Sequence, residues 1–129
     1  LDVLCENFAL HREALPAHVD ASRLPVPVMR SVFVAADDAR ARAVREALAA
    51  ERVRLGRGLP PALARASAGA VDERALVGTP AHVLDLIARY RERLGMDLLI
   101  VRGDVAGARL GEEQESLERL ATEILPALE

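Results

Sequence analysis

Hydrophobic and polar positions along the chain change their period several times, and each change marks an element. Val3, Leu4, Phe8, Leu15 and Val19 fall near helical spacing, which predicts a helix from Asp2 to about Val19, with Pro16 placed to kink or end it. From Val26 to Ala35 the chain is rich in β-branched residues, and its one internal proline, Pro27, lies at the start; this reads as a strand. Asp37 or Asp38 then caps a helix that runs through Val44 and Leu48 to about Leu55, where a carboxylate can accept the free N–H groups of the first turn. Gly56-Arg57-Gly58-Leu59-Pro60-Pro61 breaks the pattern and opens an irregular insertion over about 56–77. Gly78-Thr79-Pro80 is a helix start, with Thr79 as the cap and Pro80 in the first turn; Val83, Ile87, Tyr90 and Leu94 share one face, and Gly95 ends the helix. Asp97 to Val101 is a short, nearly continuous apolar run, as expected of a strand buried on both faces. After a loop from Gly103 to Gly111, a last helix runs from Glu112 to about Leu128, with Leu117, Leu120, Ala121, Ile124 and Leu128 as its apolar stripe.

The resulting order is helix, strand, helix, insertion, helix, strand, helix. Such alternation implies parallel strands joined by right-handed crossovers. Two strands do not make a stable sheet alone, so further strands from the same polypeptide or from a partner are expected. The chain is read as a single partial domain over residues 1–129, and its start at Leu1 suggests that upstream sequence exists.

Composition narrows the function classes. The chain is 51% hydrophobic but only 2% aromatic, so the core must be aliphatic. A net charge of −3 argues against a nucleic-acid binder, which usually presents a basic face. All 17 basic residues are arginine, which reads as coding bias. No apolar run reaches the length of a membrane span, so no membrane partner is expected. The single cysteine, Cys5, allows no internal disulfide and agrees with a cytoplasmic location. His11, His18 and His82 lack the spacing of metal ligands, so no metal is expected. Ser31, Ser67 and Ser116 lack the context of an activated nucleophile.

Three segments together resemble luciferase-like monooxygenases: Val32-Phe33-Val34-Ala35-Ala36-Asp37-Asp38-Ala39-Arg40-Ala41; Val77-Gly78-Thr79-Pro80-Ala81-His82-Val83; and Asp97 to Arg102 with the loop through Gly107 and the terminus Glu123-Ile124-Leu125-Pro126-Ala127-Leu128. Order and approximate spacing agree over essentially the whole chain. The resemblance implies the C-terminal portion of a (β/α)₈ TIM barrel, with two parallel strands and flanking helices in this chain. It also implies a flavin-dependent oxidoreductase that acts on a small organic substrate with FMN (alternatively a deazaflavin), commonly as a homo-oligomer. Two positions depart from the family: His82 stands where a glutamate is common, and Val105-Ala106 precede Gly107 in place of an aromatic and a proline. The first removes a capping-box glutamate, and the second lies in the loop that lines the pocket mouth in the family.

Active sites of such barrels lie at the C-terminal ends of the strands. That rule selects Arg102, Gly103 and Gly107 as candidate cofactor or substrate contacts, with Arg102 able to face a phosphate or an anionic substrate. Arg30 joins them as a charge within a strand, able to reach the pocket or to pair with a carboxylate. The catalytic residues are expected upstream of Leu1. The competing expectation is a non-catalytic half-barrel that self-associates through its exposed strand edges.

Overall fold

A computed structural model describes residues 1–61, 63–64 and 69–128. Ser67, considered above as a nucleophile, lies outside the described residues. Helix α1 spans Asp2–Glu13, strand β1 Pro27–Val34, helix α2 Asp38–Gly56, strand β2 Ala75–Gly78, helix α3 Pro80–Leu94, strand β3 Leu98–Arg102 and helix α4 Leu110–Arg119. Helix α4 continues through a π turn, Leu120–Ile124, and a 3₁₀ turn, Leu125–Ala127. The chain is therefore α/β, with helices around a three-stranded, wholly parallel sheet.

Three strands replace the two expected. The additional one, Ala75-Leu76-Val77-Gly78, lies inside the stretch read as an irregular insertion. It is four residues long, buried on both faces, and runs straight into a helix start, so it offers no alternation to detect. Helix α1 ends at Glu13, short of Val19, because Pro16 cannot continue the backbone ladder.

Strand order is β2-β1-β3. The C-terminal half of β1 pairs with β2 (Ser31 with Ala75 through Val34 with Gly78), and the N-terminal half pairs with β3 (Pro27 with Leu98 through Ser31 with Arg102). A barrel sets consecutive strands side by side and places all its helices on one face. Here β1 lies between the other two strands, and the helices occupy both faces. Val28, Val32, Val34 and Leu76 pack with Val83, Leu86, Ile87, Tyr90 and Leu94 of α3 and with Ile124 beyond α4. Phe33, Ala35, Ala75 and Val77 project the other way, onto Ala41 and Val44 of α2. Crossovers of one hand that travel in opposite directions require helices on opposite faces.

The second face is covered only in part. Met29, Leu98 and Ile100 are neighbours by register on the Phe33 side and remain 55%, 51% and 45% exposed. Phe33 and Ile100 thus belong to adjacent parallel strands and share a face, but only Phe33 is buried. Beyond Arg102, β3 no longer accompanies β1. The backbone N–H of Val34 donates instead to Ser116 Oγ at 2.8 Å, and Arg119 Nη1 donates to the Val34 carbonyl at 3.3 Å. Side chains of α4 satisfy the backbone that a longer β3 would have paired.

Candidate functional site

All three strands end on the same side of the molecule, where parallel α/β sheets place their sites. At the end of β1, Asp37 accepts the N–H of Arg40 at 2.7 Å and caps α2, which settles the choice between the two aspartates. At the end of β2, Thr79 holds the N-cap position of α3 with Pro80 in the first turn, but its hydroxyl makes no cap hydrogen bond. A cavity of about 310 Å³ opens there, lined by Arg42, Arg45, Gly78, Thr79 and His82 among others. Arg45 pairs with Asp72 and also donates to the Val77 carbonyl at 3.1 Å. His82 Nε2 lies 3.6 Å from the same carboxylate. Burial opposes ionisation of Asp72, yet the hydrogen bond and charge of Arg45, helped by His82, outweigh it and hold the carboxyl below its ordinary range.

The third strand end, Arg102 and the loop after β3, carries three of the four site residues expected from sequence, and none of them lines that cavity. Arg102 forms an exposed ion pair with Asp104 at 3.1 Å. Gly103 lies against Leu117. Gly107 has φ +85° and presses on α2, so that a Cβ there would run into that of Ala47. The loop is also tied down from α2: Arg40 donates through Nε and Nη2 to both oxygens of Glu112 and through Nη2 to the Gly107 carbonyl at 2.6 Å. The hydrogen bond from Arg40, then that from the Arg109 backbone, holds the Glu112 carboxyl at about 2. Val105, where the family departure falls, is buried against Phe33 and Val44.

Arg30 does not join this group. Its side chain lies on the α3 face, where Nε donates to the Tyr90 hydroxyl at 2.9 Å and the guanidinium stacks 5.2 Å above the Tyr90 ring. It has no carboxylate partner among the described residues. Sequence reasoning missed the Arg45–Asp72–His82 cluster, because its members are dispersed in the chain and His82 reads alone as a surface or capping residue. It also set Ser116 aside as a serine without nucleophile context, although the hydroxyl is buried and structural. No group of acidic, histidine or cysteine side chains among the described residues could hold a metal ion.

The same fold occurs in a monooxygenase. The crystal structure of monooxygenase RslO1 from Streptomyces bottropensis superimposes on 98% of this chain with a TM-score of 0.68 and 21% sequence identity. The chain spans 38% of the length of that monooxygenase. No protein-family model matches the sequence. No curated protein matches it either. The likeness is therefore one of fold. Among the described residues no helix is long and apolar enough to cross a membrane.

Proposed function

We propose that this chain is part of a luciferase-like, flavin-dependent oxidoreductase of the monooxygenase type. The observation that carries the reading is the shared fold with part of a monooxygenase over 98% of the chain, met independently by three sequence segments that resemble the luciferase-like family in order. Parallel strand–helix alternation supports its placement as the C-terminal portion of a barrel; consecutive strand order is the feature that β2-β1-β3 does not follow.

FMN is the cofactor of this reading, with a deazaflavin as the alternative, and a small organic molecule is the substrate. The strand ends fit one part of such a cofactor. Arg42 lines the hollow at the end of β2, beside the first turn of α3, with Asp38 also in its wall, and its guanidinium suits a phosphate. At about 310 Å³ that hollow is at the small end for ligand sites and does not also take the ring system. This chain would thus hold the phosphate end, with Arg102, Gly103 and Gly107 forming the neighbouring rim. When bound, the flavin supplies the redox chemistry, and the protein residues position it. The compartment of this reading is the cytoplasm.

Fluorescence titration of the full gene product with FMN and with a deazaflavin tests the assignment. Saturable quenching by one of them, weakened about tenfold by Arg42→Ala, is the expected result. Failure of both to bind removes the reading.

A second reading has its own observation. The outer edge of β3 is unpaired among the described residues, and Met29, Leu98 and Ile100 lie bare beside it. Such an edge is a template for strand pairing, here in a self-associating, non-catalytic module. Light scattering separates the two readings: a concentration-dependent dimer that is dissolved by Ile100→Lys and binds no flavin supports the module, and a monomer excludes it.

A further inference from the structure

Around the strand-end hollow the fixed charges of the described residues cancel in pairs. Arg42 and Asp38 line it from α2. Arg45, also on α2, lines it and pairs with Asp72, which belongs to the 3₁₀ turn Val71–Glu73 before β2. Strand β2 brings backbone and no ionisable side chain; its Val77 carbonyl accepts from Arg45 at 3.1 Å. On α3, Asp85 stands one turn beyond His82 and is exposed, where solvent screens it. Two arginines and two aspartates leave no net charge, so the charge of the hollow is set by His82.

The histidine is placed so that its proton matters. Its side chain lies against Gly78, where it leaves no room for a Cβ. Its Nε2 stands 3.4 Å from Arg45 Nη1 and 3.6 Å from Asp72 Oδ1. A neutral ring with a bare Nε2 can accept from Arg45; a protonated ring can only donate, and Asp72 Oδ1 is the carboxylate oxygen beside it. That oxygen already holds Arg45, so protonation sets two cations on one carboxylate and loosens its grip on the guanidinium. Arg45 and His82 keep the Asp72 carboxyl below its ordinary range, so it stays ionised where a histidine changes charge. The His82 side chain is 42% exposed and exchanges its proton with solvent directly.

We propose that His82 is a pH switch on the strand-end hollow, which takes up an oxyanion when the ring is protonated and releases it when the proton returns to solvent. The inference rests on the reading of that hollow as a phosphate site and adds what controls its occupancy. Protonation gives the hollow a net positive charge and loosens Arg45, which together with Arg42 offers paired donors to the anion. The bound anion in turn favours the imidazolium, so anion binding and protonation strengthen each other by the same factor.

The probe is sulfate, which keeps its charge over the range in which histidine and a phosphate both change theirs. NMR of the full gene product follows the His82 ring signal, assigned by its loss in His82→Gln, through sulfate titrations at several pH values and one ionic strength set with chloride. Sulfate is expected to bind about tenfold more tightly near pH 5.5 than near pH 8, and to move the His82 midpoint up by about one pH unit, the same free energy read from the other side. The His11 and His18 signals are expected not to respond. His82→Gln is expected to bind sulfate at every pH as weakly as the parent does near pH 8; where that variant does not fold, the rise of the His82 midpoint in the parent decides. The proposal is overturned if sulfate does not saturate, if its affinity is the same at both ends of the range, or if His82→Gln keeps the pH dependence. Flavin binding without the sulfate switch removes this inference and leaves the flavin reading; the sulfate switch without binding of either flavin does the reverse.

Discussion

The two faces of the sheet are built from the same kinds of residue and reach different degrees of completion. On the α3 face, Val32, Val34 and Leu76 meet Val83, Leu86, Ile87 and Tyr90 without a gap, and all are essentially inaccessible. On the other face α2 covers Phe33, Ala35 and Val77 and then stops, leaving Met29, Leu98 and Ile100 in solvent. Opposed crossovers explain the asymmetry: the β2-to-β3 connection and α4 both land on the first face, while the second is served by the β1-to-β2 connection and the loop after β3. An aliphatic chain with almost no aromatic residues seals the face that α1, α3 and α4 share, but α2 does not seal the other.

The sharpest way to break this comparison is to truncate one residue on each side. Leu86→Ala opens a cavity in the sealed core and is expected to cost about 2–5 kcal/mol. Ile100→Ala removes a side chain that remains 45% exposed and is expected to cost under about 1 kcal/mol. Urea unfolding of the two variants measures the difference. Equal losses would mean that the bare patch is buried in solution, and concentration dependence of the Ile100→Ala midpoint would identify a second copy as the cover.

Gly107 probes the one place where the second face is closed by a loop. Alanine there must adopt φ near +85° and push against Ala47. Conformational strain and overpacking together are expected to cost about 2–3 kcal/mol and to loosen the loop from α2. Hydrogen exchange localised to 103–109 would show it. A Gly107→Ala chain as stable as the parent would remove the close contact from the description.

Ser116 tests the corresponding seal on the first face. Ser116→Ala leaves the buried Val34 N–H without its acceptor, with an expected loss of about 1–3 kcal/mol. An unchanged midpoint would mean that water replaces the hydroxyl at no cost.

These residues also show where sequence stops being informative. The parallel strand–helix alternation, the cap at one of Asp37 and Asp38, the helix start at Thr79-Pro80 and the left-handed end at Gly95 follow from local chemistry and were legible. Strand β2 was not, since four buried residues carry no period. The α4 stripe was read with Leu117 inside, whereas the inward positions run in steps of four, Ser116 and Ile124 buried and Leu120 and Leu128 partly buried, because the π turn rotates the face. A polar residue at the start of an apolar stripe gives no hydrophobic signal. Of the site residues, Arg102, Gly103 and Gly107 come together because they are neighbours in sequence.

The smallest expected effect concerns the tether between the β3 loop and α2. The Glu112 carboxyl is held at about 2 in the folded chain, against an ordinary value of 4.5. A depressed carboxyl favours the folded state above the unfolded value and loses that contribution as pH falls toward the folded one. The Arg40–Glu112 contribution is therefore present in full above about pH 5 and fades between pH 4.5 and about 2. Glu112→Gln should lower the melting temperature slightly at pH 7 and approach the parent near pH 2, because the pair is exposed enough for solvent to screen it. Melting curves of both chains across that range, with the Glu112 carboxyl followed by NMR, give the answer. A Glu112 titration at its ordinary value, or a gap between the chains that does not narrow in acid, would show that Arg40 does not hold the loop through this carboxylate. Gly107 would then remain fixed to α2 by its packing against Ala47 and by the Arg40 hydrogen bond to its carbonyl.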